Sequence, residues 1–137
     1  MKQIHKRGLK NQIGAYGETI AAEYLNKKGF KIIGINYLKK WGEIDLIAKN
    51  KDIVHFIEVK TVSHETISDL KQAISRGTYR PEEQAHNQKL LKVARTAETW
   101  LVENNWNGNW QIDVVAVRVV TREKYATIKY IDNIILE

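Results

Sequence analysis

The segment from Ile112 to Val120 is apolar on both of the faces that a β-strand presents. Strands of this kind occur where helices cover both faces of a sheet. The longest unbroken apolar run, Val114 to Val117, is far short of the ~20 residues that a membrane-spanning helix needs. The segment therefore predicts a soluble α/β domain built around a covered sheet, with no membrane partner.

The rest of the chain predicts two helices and four further strands around this segment. Helical spacing of apolar residues and a terminating Gly29 predict a helix from Ile13 to about Lys28. A second and stronger helix is predicted from Pro81 to about Asn104, since proline suits the first helical position. Four short runs have strand character: Phe30 to Leu38, where Gly34 and Asn36 predict a bulge or bend, Trp41 to Lys49, Ile53 to Lys60, and about Tyr125 to Ile131.

The order of these elements predicts the fold class. The long helix between the third and fourth strands can serve as a right-handed crossover, which makes those two strands parallel. The predicted fold is a three-layer α/β/α sandwich with a mixed five-stranded sheet. With 137 residues the chain suits one domain, predicted at residues 13–137 behind a mobile basic arm at 1–12. Residues 61–80 have no clean period and are predicted to form a long, partly mobile excursion.

The positive charge is concentrated at the start of the chain. The net charge is +6, and the first 40 residues contain nine Lys or Arg against two acidic residues. Clustered basic side chains attract polyanions such as nucleic acid, although a solvated charged surface is the alternative. The basic residues expected to contact nucleic acid, most simply DNA, are Lys2, Lys6, Arg7, Lys10, Lys39 and Lys40. The absence of cysteine excludes disulfides and is compatible with the cytoplasm, where we expect the protein.

Three acidic residues and a lysine occupy the two central strands. Alternation places Glu43 and Asp45 on one face of their strand, and Glu58 and Lys60 on one face of the next. A two-residue turn at Asn50-Lys51 sets Asp45 opposite Phe56, whereas a turn at Lys51-Asp52 sets it opposite Glu58. Either register puts all four charged residues on one surface, but a three-residue loop would separate them.

The acidic positions lie among apolar neighbours, and burying bare carboxylates there is costly without a cation. Asp45 and Glu58 could hold Mg²⁺ (or Mn²⁺) through oxygen ligands, which is the arrangement that metal-assisted phosphodiester hydrolysis requires. Lys60 would orient the attacking water or stabilise developing negative charge. The alternative is a set of cross-strand ion pairs on a solvated face.

Several segments of the sequence resemble a known family when taken together. Asp45 followed by Glu58-Val59-Lys60 resembles the Asp…Glu-x-Lys signature of the PD-(D/E)xK nucleases, which share the restriction-endonuclease-like fold. With residues 14–18 (Gly-Ala-Tyr-Gly-Glu), 42–48 (Gly-Glu-Ile-Asp-Leu-Ile-Ala) and 113–115 (Asp-Val-Val), the chain is similar to the YraN-like family of small uncharacterised proteins, from about Gly14 to Val117. That family is regarded as a relative of archaeal Holliday-junction resolvases.

The resemblance implies a site and an activity. Asp45 and Glu58 match the metal-binding acids, Lys60 matches the catalytic lysine, and Glu18 matches a helix acid that completes the metal site. Glu43 matches a position of unclear role and could support Lys60. The implied activity is that of an Mg²⁺-dependent endonuclease acting on branched, flap or junction DNA in repair or recombination, with a homodimer suggested by analogy. The alternatives are a catalytically silent nucleic-acid-binding protein of the same fold and a structural partner module for repair complexes.

Other chemistry-bearing residues favour a structural role. The four histidines, His5, His55, His64 and His86, lack the spacing of a zinc site. Three basic residues of the long helix predict a solvated face or, alternatively, phosphate contacts: Lys89, Lys92 and Arg95. Trp106 and Trp110 could stack on unpaired bases, but anchoring of their turn to the core is the expected role.

Overall fold

The computed structural model describes residues 6–76 and 87–134; the side chains of Lys6, Arg7, Lys10 and Asn87 are not described. Its helices and strands follow one another as α1 (Lys6–Lys27), β1 (Lys31–Lys39), β2 (Gly42–Asn50), β3 (Ile53–Ser63), α2 (Ile67–Arg76), α3 (Asn87–Glu103), β4 (Asn109–Val120) and β5 (Tyr125–Ile131), with a short 3₁₀ turn at Thr121–Glu123. The strands form one sheet in the order β1-β2-β3-β4-β5. Among the described strands only the β3–β4 pair is parallel, which confirms the predicted mixed five-stranded sheet.

Two apolar cores lie on opposite faces of the sheet. On one face, Ala21 and Leu25 of α1 pack against residues of β2, β3 and β4. On the other face, Leu90, Val93 and Ala97 of α3 pack against a second set from the same strands. The β4 strand contributes residues to both cores, which explains why its sequence is apolar on both faces.

The turn between β2 and β3 sets the register of the site. Asn50 pairs with Ile53, so Lys51 and Asp52 form a two-residue turn. Both turn residues have positive φ, 48° and 63°, as the tight hairpin turns that match strand twist require. Of the two predicted registers, the one with the Lys51-Asp52 turn is therefore correct.

The predicted irregularity in β1 is confirmed. The pairing of β1 with β2 shifts by one residue between Ile32 and Gly34, and Asn36 has a φ of 49°. A bulge of this kind bends a strand and increases its local twist. The bend lies beside the part of β2 that contains Asp45, because Ile35 pairs with Leu46 and Tyr37 pairs with Ile44.

The first helix begins earlier than the sequence predicts. Residues 6–12, assigned by sequence to a mobile basic arm, form the first turns of α1. Polar residues are compatible with this extension because a helix that already packs through its later turns can continue into solvent without an apolar face. Residues 1–5, including Lys2 and His5, lie outside the described residues.

The predicted excursion at 61–80 is wrong for most of its described part. β3 continues to Ser63, and α2 occupies Ile67–Arg76. The Thr66 hydroxyl caps this helix by accepting a hydrogen bond from the Asp69 N–H at 3.0 Å. The Asp69 carboxylate, in the first turn, interacts favourably with the positive end of the helix dipole. Ile67, Leu70, Ala73 and Ile74 of α2 recur at helical spacing, and Leu70 is the buried residue among them.

The last helix agrees with its prediction where it is described. α3 runs to Glu103, close to the expected end at Asn104. Its predicted first turn at Pro81, and His86, lie outside the described residues. Among residues 6–76 and 87–134, no helix combines the length and the apolar character needed to cross a membrane.

Candidate functional site

Two glycines allow both helical layers to approach the sheet next to the charged residues. A Cβ atom at Gly17 of α1 would overlap the side chain of Thr61 on β3. A Cβ atom at Gly42, the first residue of β2, would lie 2.5 Å from Thr96 Oγ1 and 3.1 Å from the carbonyl oxygen of Lys92 on α3. Real Cβ atoms do not approach other atoms so closely, so glycine is required at both positions.

Asp45 lies where the β2–β3 ladder ends. The last paired residues on this side are Leu46 and Ile57. Beyond them, the Asp45 carboxylate itself accepts the Val59 N–H, with 2.8 Å between Oδ2 and N. A side chain thus takes the place of a backbone acceptor, and it is held rigidly between the two strands.

The strict alternation of side chains is interrupted at the same point. Ile44 and Ile47 are three residues apart, yet both pack in the core on the α3 side. Leu46 packs on the α1 side. The shared-surface prediction assumed regular alternation, and this local change in β2 is what lets Asp45 interact with residues from both helical layers.

Burial raises the pKa of Asp45 to about 8, with the negative charge of Glu58 as the next cause. The hydrogen bond from Val59 opposes this effect but does not overcome it. A carboxyl group in such a position is costly to ionise unless a cation is close. Without a neighbouring cation, the Asp45 carboxyl is therefore mostly neutral at pH 7.

Glu58 is 3% exposed and holds two ammonium groups. Its Oε1 atom lies 2.6 Å from Lys89 Nζ and 3.0 Å from Lys60 Nζ. Burial, followed by the adjacent Lys89, lowers the pKa of Lys60. Burial also acts to lower the pKa of Lys89, but the interactions with Glu58 and Lys60 outweigh it and raise that pKa. Lys89 therefore retains its proton more readily than Lys60 does.

Glu18 approaches from α1, as the family resemblance implies. Its side chain interacts with the side chains of Asn36 and Asp45. Burial, and then the charges of Glu43 and Glu58, raise the pKa of Glu18. The structure thus brings the four predicted residues Glu18, Asp45, Glu58 and Lys60 together, with Glu43 close enough to influence Glu18.

A cavity of about 420 Å³ opens over Glu43, Asp45 and Glu58, between β2, β3 and α3, and its lining does not include Glu18 or Lys60. Its lining combines carboxylates from the strands with basic side chains from α3: Glu43, Asp45, Glu58, Lys89 and Lys92, together with Gly42, Gln88 and Val93. An acidic floor suits a metal ion and a basic wall suits a phosphate group. The cavity therefore combines carboxylates from the strands with ammonium groups from α3.

The carboxylates fit a hard divalent cation in part. Asp45 and Glu58 supply oxygen donors of the type that Mg²⁺ and Mn²⁺ prefer, and Glu18 lies next to Asp45. Within residues 6–76 and 87–134, however, no three His, Cys, Asp or Glu side chains are arranged as a complete ligand set. A bound Mg²⁺ usually keeps several water ligands, so two or three carboxylates suffice for it.

The predicted nucleic-acid contacts are only partly described. Lys6, Arg7 and Lys10 lie on the first turns of α1. Lys40 is exposed in the β1–β2 turn. Lys39 forms an ion pair with Glu103, with 2.8 Å between Nζ and Oε2. The negative charge of Glu103 partly cancels the positive charge of Lys39, so Lys39 attracts a polyanion less strongly.

The three basic residues of α3 make different contacts, which the sequence alone could not distinguish. Lys89 contacts Glu58 inside the cavity. Lys92 lines the same cavity one turn later, and Arg95 lies over the ring of Trp41. The contact of Lys89 with the site depends on how α3 docks across the sheet, and no local sequence pattern indicates it.

His55 belongs to a buried network rather than to the candidate site. Its Nδ1 atom lies 2.6 Å from Asp113 Oδ2, and Tyr130 donates its hydroxyl hydrogen to the same carboxylate. The Asp113 Oδ1 atom accepts hydrogen bonds from Gln111 and from the Asn133 N–H. This arrangement fully satisfies a buried charge.

Trp106, in the turn before β4, and Trp110, the second residue of β4, both contact the protein, as expected. Trp106 donates its indole N–H to the carbonyl oxygen of Asn109 at 3.0 Å and packs on the α3-side core. The Trp110 ring packs edge-on against Phe56, with 5.8 Å between ring centroids. Both contacts anchor the turn before β4.

Comparison with known proteins assigns the chain to a family. The sequence model described as "Uncharacterised protein family UPF0102" matches residues 17–117. A UPF0102 protein of Campylobacter fetus subsp. fetus is 33% identical over 93% of this chain and 97% of its own length. UPF0102 proteins of Clostridium acetobutylicum (33% identity, 91% of this chain, 94% of the relative) and Campylobacter lari (36%, 76% and 81%) are also similar. The chain therefore belongs to the UPF0102 family, the YraN family that its motifs resemble.

Proposed function

We propose that this protein is a metal-dependent endonuclease that hydrolyses phosphodiester bonds in DNA. The observation that carries the proposal is the pair of carboxylates from Asp45 and Glu58, held by adjacent strands under a cavity with Lys60 on the Glu58 carboxylate. The resemblance of these residues to the Asp…Glu-x-Lys signature supports the same conclusion.

Each residue has a chemical role in this proposal. Asp45, Glu58 and Glu18 would hold Mg²⁺ or Mn²⁺, which supplies Lewis acidity and a water of lowered pKa. Lys60 would orient the attacking water or donate a hydrogen bond to the phosphate oxygen that gains negative charge. Asp45 is kept in place by the Val59 N–H, so the arrangement is largely formed before substrate binds. The exposed Glu43 would adjust the local charge at Glu18.

We further propose that the substrate is selected by shape, as branched, flap or junction DNA in repair or recombination. The proposal rests on the resolvase-like motifs and on the basic residues at positions 1–40, which favour backbone contacts over base contacts. A cytoplasmic location and a homodimer, in which two sites would cut a junction symmetrically, stay predictions.

The test is cleavage of flap, junction, single-stranded and duplex DNA with Mg²⁺, with Mn²⁺ and with a chelator. Wild-type protein is expected to cut one or more of these with metal only. Asp45→Asn and Glu58→Gln should abolish cleavage. Metal-free DNA binding should hold in Asp45→Asn, because burial raises the pKa of Asp45 to about 8 and the carboxyl is then mostly neutral at pH 7; it should hold or tighten in Glu58→Gln, which removes a negative charge near phosphate. The matched control is Glu98→Gln, an exposed acid of α3 outside the cavity. Cleavage that persists in the Asp45→Asn protein would refute the assignment of the site.

A second candidate is a catalytically silent nucleic-acid-binding protein of the same fold. The observation in its favour is that the lysine pair already neutralises Glu58, while the described residues contain no complete ligand set. Wild-type protein that binds these DNA substrates but cuts none of them with either metal would support this candidate.

A further inference from the structure

Lys89 occupies an unusual position for an α3 residue whose side chain is half exposed. Its ammonium group lies 2.6 Å from the Oε1 atom of Glu58, a carboxylate that is almost fully buried. Lys60 contacts the same oxygen at 3.0 Å. One carboxylate therefore has two cations on a single oxygen, although one cation is enough to neutralise it.

The two lysines differ in their freedom to move. The Lys60 side chain is 11% exposed and that of Lys89 is 49% exposed. Lys60 extends from β3, the same strand as Glu58, whereas Lys89 extends from a helix on the far wall of the cavity. Lys89 can therefore leave Glu58 by a rotation of its flexible side chain into solvent, without any change in the sheet.

We propose that Lys89 is the internal counter-cation of this site, bound to Glu58 where a divalent ion would bind and displaced when that ion enters. The inference rests on the proposed function, and it adds a residue that the Asp…Glu-x-Lys pattern does not contain. Once displaced, Lys89 still lines the cavity and becomes available to a phosphate group of the DNA backbone.

Charge balance supports this exchange. Without a metal ion, Lys89 reduces the cost of keeping Glu58 ionised and buried beside Asp45. With a divalent ion on the carboxylates, a Lys89 ammonium at the same oxygen would meet like charge, which disfavours its position there. The ammonium and the metal ion therefore compete for Glu58, and the released ammonium strengthens the attraction of the cavity wall for phosphate.

The first test is Mn²⁺ binding measured by calorimetry on wild-type protein and on Lys89→Gln. The competition predicts that Lys89→Gln binds Mn²⁺ about tenfold more tightly, a change that corresponds to about 1.4 kcal/mol. Lys89→Arg, which keeps the charge, should stay near wild type. Lys92→Gln is the matched control: it removes one positive charge from the same helix and cavity and should change the Mn²⁺ affinity by less than about twofold.

The direction of the effect separates competition from a structural role. If Lys89 only holds α3 against the sheet, its loss would loosen the site and weaken Mn²⁺ binding. Equal or weaker binding by Lys89→Gln, confirmed with Lys89→Met and with unchanged circular dichroism, would overturn the inference. Because binding is measured without DNA, this result is distinct from a failure of the nuclease proposal; absence of Mn²⁺ binding in wild type and in every variant would overturn both.

The second test is DNA binding with and without a metal. Ca²⁺ serves as the ion because it takes the same oxygen ligands. Lys89→Gln should weaken DNA binding severalfold with Ca²⁺ and by a smaller factor in chelator, where Lys89 is engaged by Glu58. Lys92→Gln should weaken it by the same factor in both conditions. An effect of Lys89→Gln that does not depend on Ca²⁺ would overturn the exchange.

Discussion

At the scale of single residues, the Asp45 carboxylate combines two roles that oppose each other. It accepts the Val59 N–H and so closes the end of a strand pair. It also lies, partly buried, beside the acidic Glu58, and burial raises its pKa to about 8. Residues held for function often reduce the stability of the fold, because the same site must later bind a charged ligand.

We therefore expect Asp45→Asn to stabilise the metal-free protein. The asparagine carbonyl oxygen can still accept the Val59 N–H, and the substitution removes a carboxylate that is costly to ionise beside Glu58. The free energy of unfolding at neutral pH in chelator should rise by roughly 1 kcal/mol, measured by urea denaturation. Asp52→Asn in the exposed β2–β3 turn is the control and should have little effect. A loss of stability in Asp45→Asn would contradict this view of the site.

In contrast to Asp45, the pKa of Asp113 is set by hydrogen bonds rather than by burial. Burial acts to raise the pKa of Asp113, but hydrogen bonds from His55, Tyr130, the Asn133 N–H and Gln111 outweigh it and lower that pKa. The folded pKa is thus below the unfolded value of about 3.9. The ionised carboxylate therefore stabilises the fold above the unfolded pKa, and this contribution is lost as the pH falls through the folded pKa.

We expect Asp113→Asn to lower the free energy of unfolding at pH 7 by roughly 3 kcal/mol, since it leaves a buried network without its charged acceptor. The difference between the variant and wild type should shrink as the pH falls below about 4. Chemical denaturation at a series of pH values measures both effects. A difference that is the same at pH 7 and at pH 3 would show that the Asp113 charge contributes nothing.

At the scale of elements, two of the three glycines of α1, Gly14 and Gly17, have opposite expected behaviour. Gly17 is buried against Thr61, and a Cβ atom there would overlap this side chain. At Gly14, a Cβ atom would meet nothing within 4 Å. The distance between α1 and the sheet, and with it the approach of Glu18 to Asp45, depends on Gly17 and not on Gly14.

The same substitution at the two positions should therefore change stability in opposite directions. Gly17→Ala is expected to lower the free energy of unfolding by about 1–3 kcal/mol, because the helix must move away from Thr61. Gly14→Ala should raise it by up to about 1 kcal/mol, since alanine favours the helix and restricts the unfolded chain. Thermal and urea unfolding of the two single variants measure the contrast. Equal effects would show that the packing distance at Gly17 is unimportant.

The limits of prediction at this scale are illustrated by two helices. The apolar period of α3 makes it recognisable, because one of its faces packs on the core. The sequence prediction missed α2, although Ile67, Leu70, Ala73 and Ile74 also recur at helical spacing over this shorter segment. Its capping residues, Thr66 and Asp69, are the signal that could have revealed it.

At the scale of the whole molecule, the excess positive charge lies in the first 40 residues, which contain nine basic and two acidic residues. The remainder contains 13 basic and 14 acidic residues. The DNA of the proposed function would therefore be attracted mainly to this part of the chain. Binding driven by phosphate neutralisation weakens as salt concentration rises.

We expect the DNA affinity of wild-type protein to fall steeply with salt. A triple variant with Lys6→Gln, Arg7→Gln and Lys10→Gln should have a shallower slope of log affinity against log salt, by about one unit for each phosphate group that the variant no longer neutralises. The control removes three charges elsewhere, with Gln at the exposed residues Lys51, Lys71 and Lys124. Fluorescence anisotropy measures both slopes. Similar slopes for the two variants would show that the beginning of the chain has no special role.

The sequence by itself determined the five strands with α1 and α3 in their chain order, the parallel β3–β4 pair and the grouping of Asp45, Glu58 and Lys60, but not α2. These features follow from side-chain periodicity, turn chemistry and strand alternation, which act over a few neighbouring residues. Only the tertiary structure decided that the alternation of β2 breaks near Asp45 and that Lys89 of α3 reaches Glu58. Both depend on how distant segments pack: Lys89 and Glu58 are far apart in the chain and meet only because α3 docks across β2 and β3. Close packing between layers selects such contacts, and no local pattern of the chain encodes them.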